Sequence, residues 1–160
     1  MKKIGVYDSG MGGLSFLAKL IQEMPTYDYI YYGDALNVPY GEKKKEEICS
    51  FARYVAKELI DLECEALVIA CNTATSAAEE ILKAEFDIPI FGIEPALSSA
   101  MEWGDRGKLL VMATNFTLSS PRYLLALERY QDQREILSLP GPALVELVEE
   151  GIVEGRKNSQ

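Results

Sequence analysis

Ala66-Leu67-Val68-Ile69-Ala70-Cys71-Asn72-Thr73-Ala74-Thr75-Ser76 changes character at its midpoint. The first five residues form a short apolar run rich in β-branched side chains, which reads as a strand. The remainder is small and polar, and reads as a helix start. A thiol at that junction sits where the helix dipole favours a thiolate, the reactive form of cysteine. The plain alternative is a small buried hydrophobe at a strand end.

The same alternation extends in both directions. Strands are expected at Ile4 to Tyr7, Tyr29 to Tyr32, Ala66 to Ala70, Pro89 to Ile93, Lys108 to Ala113 and Arg134 to Ser138. Between them, apolar residues recur at helical spacing. Leu14, Leu17, Leu20, Ile21 and Met24 mark one helix. Ile48, Phe51, Val55 and Leu59 share a face of a longer one, from about Lys44 to Leu62. Further helices are expected from Ala74 to about Glu85, from Pro95 to Trp103, after Ser119 or Ser120, and around Leu144, Leu147, Val148 and Ile152. Strands alternating with helices imply an α/β fold with a parallel sheet flanked by helices. In such sheets ligands bind beyond the carboxyl ends of the strands. Asp8, Asp34, Cys71-Asn72-Thr73 and Thr114-Asn115 each follow a strand, so they are expected along one edge. The Gly92-Ile93-Glu94-Pro95 turn is the best candidate for a domain crossing. It divides the chain into 1–94, an N-terminal α/β domain, and 95–160, an incomplete second one. The tail from Arg156 to Gln160 reads as frayed.

Composition removes several classes of function. The 160 residues carry a net charge of −9, unsuited to a nucleic-acid backbone. The acidity reads as scattered helix-face residues such as Glu42, Glu46, Glu47, Glu79 and Glu80. No run is long enough to span a bilayer, and no apolar leader follows Lys2-Lys3, which reads as a cytoplasmic chain. Cys49, Cys64 and Cys71 make no CxxC pair and no disulfide framework. Histidine is absent, which removes His-based metal sites, Ser-His-Asp triads and Cys-His dyads.

Asp8-Ser9-Gly10-Met11-Gly12-Gly13-Leu14 is a Gly-rich loop between a strand and a helix. It fits neither nucleotide fingerprint: Ser15 stands where G-x-G-x-x-G needs glycine, and no lysine supplies a Walker A loop. A nucleotide-binding domain is thus a weak reading. Two others stay open. The loop could aim amides and the Ser9 hydroxyl at a small anion, with Asp8 as acid–base partner. It could also be a turn with Asp8 or Ser9 capping the helix. Pro39-Tyr40-Gly41 reads as a turn after which Glu42 could open the next helix, and Thr114 to Thr117 as a cap.

Taken in order, Asp-Ser-Gly-x-Gly-Gly-Leu at 8–14, Gly-Asp-x-x-x-x-Pro-Tyr-Gly at 33–41 and Ala-Cys-Asn-Thr-Ala-Thr at 70–75 resemble the N-terminal part of the glutamate racemase family, within the wider aspartate/glutamate racemase superfamily. Thr114-x-x-Thr117 and the segment from Ala143 to Gly151 continue the resemblance over nearly the whole chain. The Pro-Tyr-Gly loop points to the glutamate branch. The resemblance implies interconversion of L- and D-glutamate by two cysteines without a cofactor, supplying D-glutamate for peptidoglycan. Thiols suit proton transfer because their ordinary pKa, about 8.5, lies near neutrality. By resemblance, Cys71 is the first cysteine and Asp8 assists it. Asp8, Ser9, Pro39, Tyr40, Gly41, Asn72, Thr73, Thr114 and Thr117 match substrate-contacting positions.

One departure stands out. The family's second cysteine lies in a later Cys-Thr-His motif, and this sequence has no Cys after Cys71 and no His. The expectation is a truncated racemase, inactive as given, with a non-catalytic glutamate-binding or interaction protein as the alternative. Apolar helix faces left without partners lead us to expect a homo-oligomer or an unstable monomer.

Overall fold

A computed structural model describes residues 2–103, 107–141, 144 and 147. The elements, in order, are β1 (Lys3–Asp8), α1 (Gly13–Glu23), β2 (Asp28–Gly33), a 3₁₀ turn (Tyr40–Glu42), α2 (Lys45–Asp61), β3 (Cys64–Ile69), α3 (Asn72–Glu85), β4 (Ile90–Gly92), α4 (Leu97–Glu102), β5 (Leu109–Ala113), α5 (Asn115–Leu118), α6 (Pro121–Tyr130) and β6 (Ile136–Pro140). The first four strands form one parallel sheet in the order β2-β1-β3-β4, and β5 pairs in parallel with β6 in a second sheet. The fold is therefore α/β with parallel sheets flanked by helices, as expected. The strands do not all share one sheet edge, however, because β5 pairs only with β6 among the described residues.

Helices cover both faces of the first sheet. Tyr7, Leu67 and Ile69 pack against Ile48, Ala52, Val55 and Leu59 of α2 and Leu82 of α3. On the opposite face Ile4, Val6 and Ala70 meet Leu17, Leu20 and Met24 of α1 and its exit. Burial on both faces explains why β1 and β3 are nearly continuous apolar runs rather than alternating ones. Helix starts follow local chemistry. The Glu47 carboxylate accepts the Lys44 backbone N–H at 3.1 Å, and Glu46 and Glu47 occupy the favourable first turn of α2. Ser120 caps α6, with Pro121 in its first turn.

Several expectations need correction. Glu42 closes the 3₁₀ turn, and the next helix opens only at Lys45. The helix α5 was not foreseen, because four residues carry no readable period. The sixth strand lies two residues later than expected, at Ile136–Pro140. Glu79 is not a solvated helix-face residue: it is only 4% exposed. Its carboxylate accepts from the Gly92 amide at 2.9 Å, pairs with Lys83 at 2.8 Å and meets the Arg122 guanidinium, which also pairs with Glu94. This cluster ties α3 to α6. Burial pushes the Glu79 carboxyl up, but Lys83, Arg122 and the Gly92 amide together hold it below the usual carboxylate range. Leu144 and Leu147 are helical; the rest of the expected last helix, and the tail from Arg156, lie outside the described residues. None of the described helices is long and apolar enough to cross a membrane.

Candidate active site

The carboxyl ends of β1 and β3, the Tyr40 turn and the β5–α5 junction surround a cavity of about 430 Å³. Cys71 lines it as the residue that caps α3. The Ala74 N–H donates to Sγ at 3.4 Å, and the thiol reaches Ser9 Oγ at 3.4 Å. Cys71 is 8% exposed. Burial first, and the neighbouring Asp8 charge second, push its thiol up; the hydrogen bonds from Ser9 and Ala74 pull the other way and do not prevail. The helix start does favour the thiolate through the Ala74 amide, but burial and the Asp8 charge outweigh it and the net shift is upward. The helix dipole is a local effect of modest size, whereas removing a thiolate from water is a larger cost.

The Gly-rich loop answers the question left open by the sequence. Asp8 Oδ2 accepts from the Gly10 and Gly13 amides, each at 3.1 Å, and from Tyr31 Oη at 3.5 Å. The anion that these loop amides hold is Asp8 itself. The N-cap position of α1 is Gly12, not Asp8 or Ser9; the Asp8 carboxylate instead takes the Gly13 amide of the first turn and stands beside the thiol.

Asn72 and Thr73 follow Cys71 into the first turn of α3 and line the cavity. Thr73 Oγ1 lies 3.0 Å from Thr114 Oγ1 and 3.3 Å from Thr117 Oγ1, and the latter two are 3.0 Å apart. Thr114 also caps α5, as its spacing suggested, by accepting the Thr117 N–H at 3.2 Å. This triangle of hydroxyls joins the two sheets' site loops. Gly41 is forced by packing. A Cβ there would stand 2.6 Å from Thr114 Cγ2 and 2.7 Å from Thr114 Cβ.

Nine of the ten residues anticipated from sequence line this cavity: Asp8, Ser9, Tyr40, Gly41, Cys71, Asn72, Thr73, Thr114 and Thr117. Pro39 does not. It precedes the 3₁₀ turn, joined to Val38 by a cis peptide. Tyr40 lines the cavity with its hydroxyl already committed to Asp34 and Tyr7. Asp34, expected on the ligand-facing edge, is buried and does not line the cavity. Met112, Ala113, Gly141 and Leu144 also line it and were missed. The first three lie at or just after the carboxyl ends of β5 and β6, so the strand-end rule could have found them. No group of three His, Cys, Asp or Glu side chains among the described residues could hold a metal ion.

A single thiol beside a carboxylate, framed by backbone amides and neutral hydroxyls at the carboxyl ends of parallel strands, is an arrangement for moving a proton on a small polar ligand. The chain belongs to the Asp/Glu/Hydantoin racemase family, which it matches over residues 5–160. Within that family it is similar to the glutamate racemase of Clostridium acetobutylicum, with 48% identity over 96% of this chain and 60% of that protein. Two solved structures are also similar. Glutamate racemase from Francisella tularensis, in complex with D-glutamate, superposes with a TM-score of 0.77 at 36% identity, covering 97% of this chain and 58% of that one. Escherichia coli glutamate racemase, in complex with L-glutamate and the activator UDP-MurNAc-Ala, gives 0.88 at 29%, covering 96% and 59%. The chain spans about 60% of the length of the curated relatives it matches.

Proposed function

We propose that this chain carries the substrate-binding face and one of the two proton-transfer thiols of a cofactor-independent glutamate racemase. Residues 1–94 are its first α/β domain and 95–160 belong to a second, a division supported by the separate β1–β4 and β5–β6 sheets. The observation that carries the reading is the placement of Cys71 Sγ within reach of Ser9, in the cavity also lined by Asp8, Asn72, Thr73, Thr114 and Thr117.

Racemisation removes the α-proton from one face of the amino acid and returns a proton to the other. Cys71 serves one face. Its thiolate takes the α-proton and holds it as a thiol while the electron pair delocalises into the substrate carboxyl group. Burial pushes the thiol up, so it acts as a base only after giving its own proton to water. An amino acid brings an ammonium group, whose positive charge offsets that of Asp8 and lowers the cost of the thiolate. The substrate carboxylates are held by amides and hydroxyls rather than by an arginine clamp. Cys49 and Cys64 do not line the cavity, so neither supplies the opposite face. In a bacterial cytoplasm the D-isomer would feed peptidoglycan synthesis.

The test is incubation of the 160-residue chain with L- or D-glutamate in D2O, followed by NMR of the α-position. We expect glutamate binding, deuterium wash-in confined to one isomer, and loss of that wash-in in Cys71→Ser. Rapid interconversion of both isomers would refute the need for a second thiol, and absence of binding would refute the glutamate reading. A homo-oligomer is also part of the proposal. Leu110 pairs with Leu137 and Met112 with Leu139 along β5–β6, and all four are exposed. Sedimentation showing a compact monomer at micromolar concentration would remove it.

A further inference from the structure

Asp34 touches no part of the cavity, yet it holds two of the loops that form it. Its backbone N–H donates to the Asp8 carbonyl at 2.9 Å. Its carboxylate accepts the Tyr40 hydroxyl at 2.6 Å and both oxygens accept from Asn37 Nδ2, at 2.9 and 3.0 Å. Tyr40 Oη in turn accepts from Tyr7 Oη at 2.6 Å, inside the core beneath β1. Tyr7, Asp34 and Tyr40 are all buried. The Tyr40 hydroxyl, a donor once and an acceptor once, has its strongest directions filled. Its contribution to the site is anchorage rather than ligand contact.

What this anchor fixes is the next residue. Gly41 lines the cavity and lies so close to Thr114 that a single added carbon would collide with it. The position of the Gly41 backbone, and with it the fit against Thr114, depends on where the Tyr40 ring is pinned. A phenol bonded to a buried carboxylate is a charge-assisted and directional contact, well suited to holding a turn in one place. We propose that Asp34 is a positioning residue: through the Tyr40 hydroxyl it sets the Gly41 backbone against Thr114 and so shapes the ligand cavity. The ligand arm of this inference rests on the cavity being the glutamate site; the conformational arm does not.

The experiment uses the 160-residue chain and the variants Asp34→Ala, Asp34→Asn, Tyr40→Phe and the double variant Asp34→Ala/Tyr40→Phe. The readouts are the NMR shifts of the Gly41 amide and Thr114 methyl without ligand, and the glutamate affinity by calorimetry. Asp34→Ala and Tyr40→Phe should displace both signals in the same direction. Asp34→Asn, which keeps an acceptor oxygen for Tyr40, should displace them least. Affinity should fall about tenfold in Asp34→Ala, and the double variant should bind no more weakly than Asp34→Ala alone. Unmoved Gly41 and Thr114 signals in a folded variant would overturn the inference, as would a double variant whose loss is the product of the two single losses. If Asp34→Ala does not fold, Tyr40→Phe and Asp34→Asn carry the same comparison. If the parent chain binds no glutamate, the proposed function fails, while the two NMR signals still decide whether Asp34 acts through Tyr40.

Discussion

Arg122→Ala removes the cation that joins α6 to α3, and its cost can be reasoned from the surroundings. The Glu79 carboxylate would remain almost fully buried, with Lys83 and the Gly92 amide as its remaining partners. Breaking a fully buried ion pair costs about 3–5 kcal/mol, because the surviving charge loses its compensation. Two features reduce that figure. The Arg122 side chain is 27% exposed, so water already screens part of the interaction, and Lys83 stays 2.8 Å from Glu79. We expect about 1–2 kcal/mol, which lowers Tm by about 3–7 °C in a chain of this size. The assay is urea denaturation followed by circular dichroism, with Glu79→Gln and the double variant completing a cycle. The pH dependence supplies a second check. Glu79 has a folded-state pKa below its unfolded value. Its contribution is therefore present above the unfolded value, about 4.3, and is lost as pH falls through the folded one. The gap between parent and Arg122→Ala should narrow below about pH 4. A loss under about 0.5 kcal/mol, as for an uninvolved surface substitution, or a gap unchanged at low pH, would refute the reasoning.

Three further outcomes are expected. Gly41→Ala must separate the Tyr40 turn from α5 by more than a flexible side chain can yield, which costs about 1–3 kcal/mol; an unchanged urea midpoint would contradict it. Iodoacetamide labelling of Cys71, located by peptide mass spectrometry, should accelerate about tenfold per pH unit from 7 to 9 without a plateau, since its thiol is pushed above the ordinary range; levelling off below about pH 8 would show a stabilised thiolate. Burial also pushes the Cys71, Tyr7 and Tyr40 groups up in the folded state. Their share of stability is complete below the unfolded values, about 8.5 for cysteine and 10 for tyrosine, and is lost as pH rises. Urea midpoints should thus fall above about pH 9, and a flat profile would remove this account.

The parts legible in the sequence are those governed by local rules. The strand run before Cys71 and the helix after it required only side-chain type and period. The strand-end rule places Asp8, Cys71 and Thr114 together from sequence position alone. The parts that were not legible depend on tertiary surroundings. Glu79 has the sequence neighbours of a surface residue, and its burial follows from Gly92 and Arg122, 13 and 43 positions away. The helix that Cys71 caps is visible in the sequence, whereas its ionisation answers first to burial and then to the Asp8 charge. Nothing in the β5 sequence states that it pairs with β6 rather than with β4. Tyr40 was legible as a site position, but the commitment of its hydroxyl to Asp34 and Tyr7 was not.

The three threonine hydroxyls at the cavity wall have a further consequence. Thr73, Thr114 and Thr117 face one another at 3.0–3.3 Å, and for two of the three contacts either partner can be the donor. Each O–H is a rotor. An arriving carboxylate can be met by turning protons while every heavy atom stays in place, so little reorganisation is spent there. Because the rotors are uncharged, they neither titrate near neutrality nor gather counterions. That part of the wall adds no pH or salt dependence of its own; what dependence an anion shows there comes from Asp8, Cys71 and the net charge of −9.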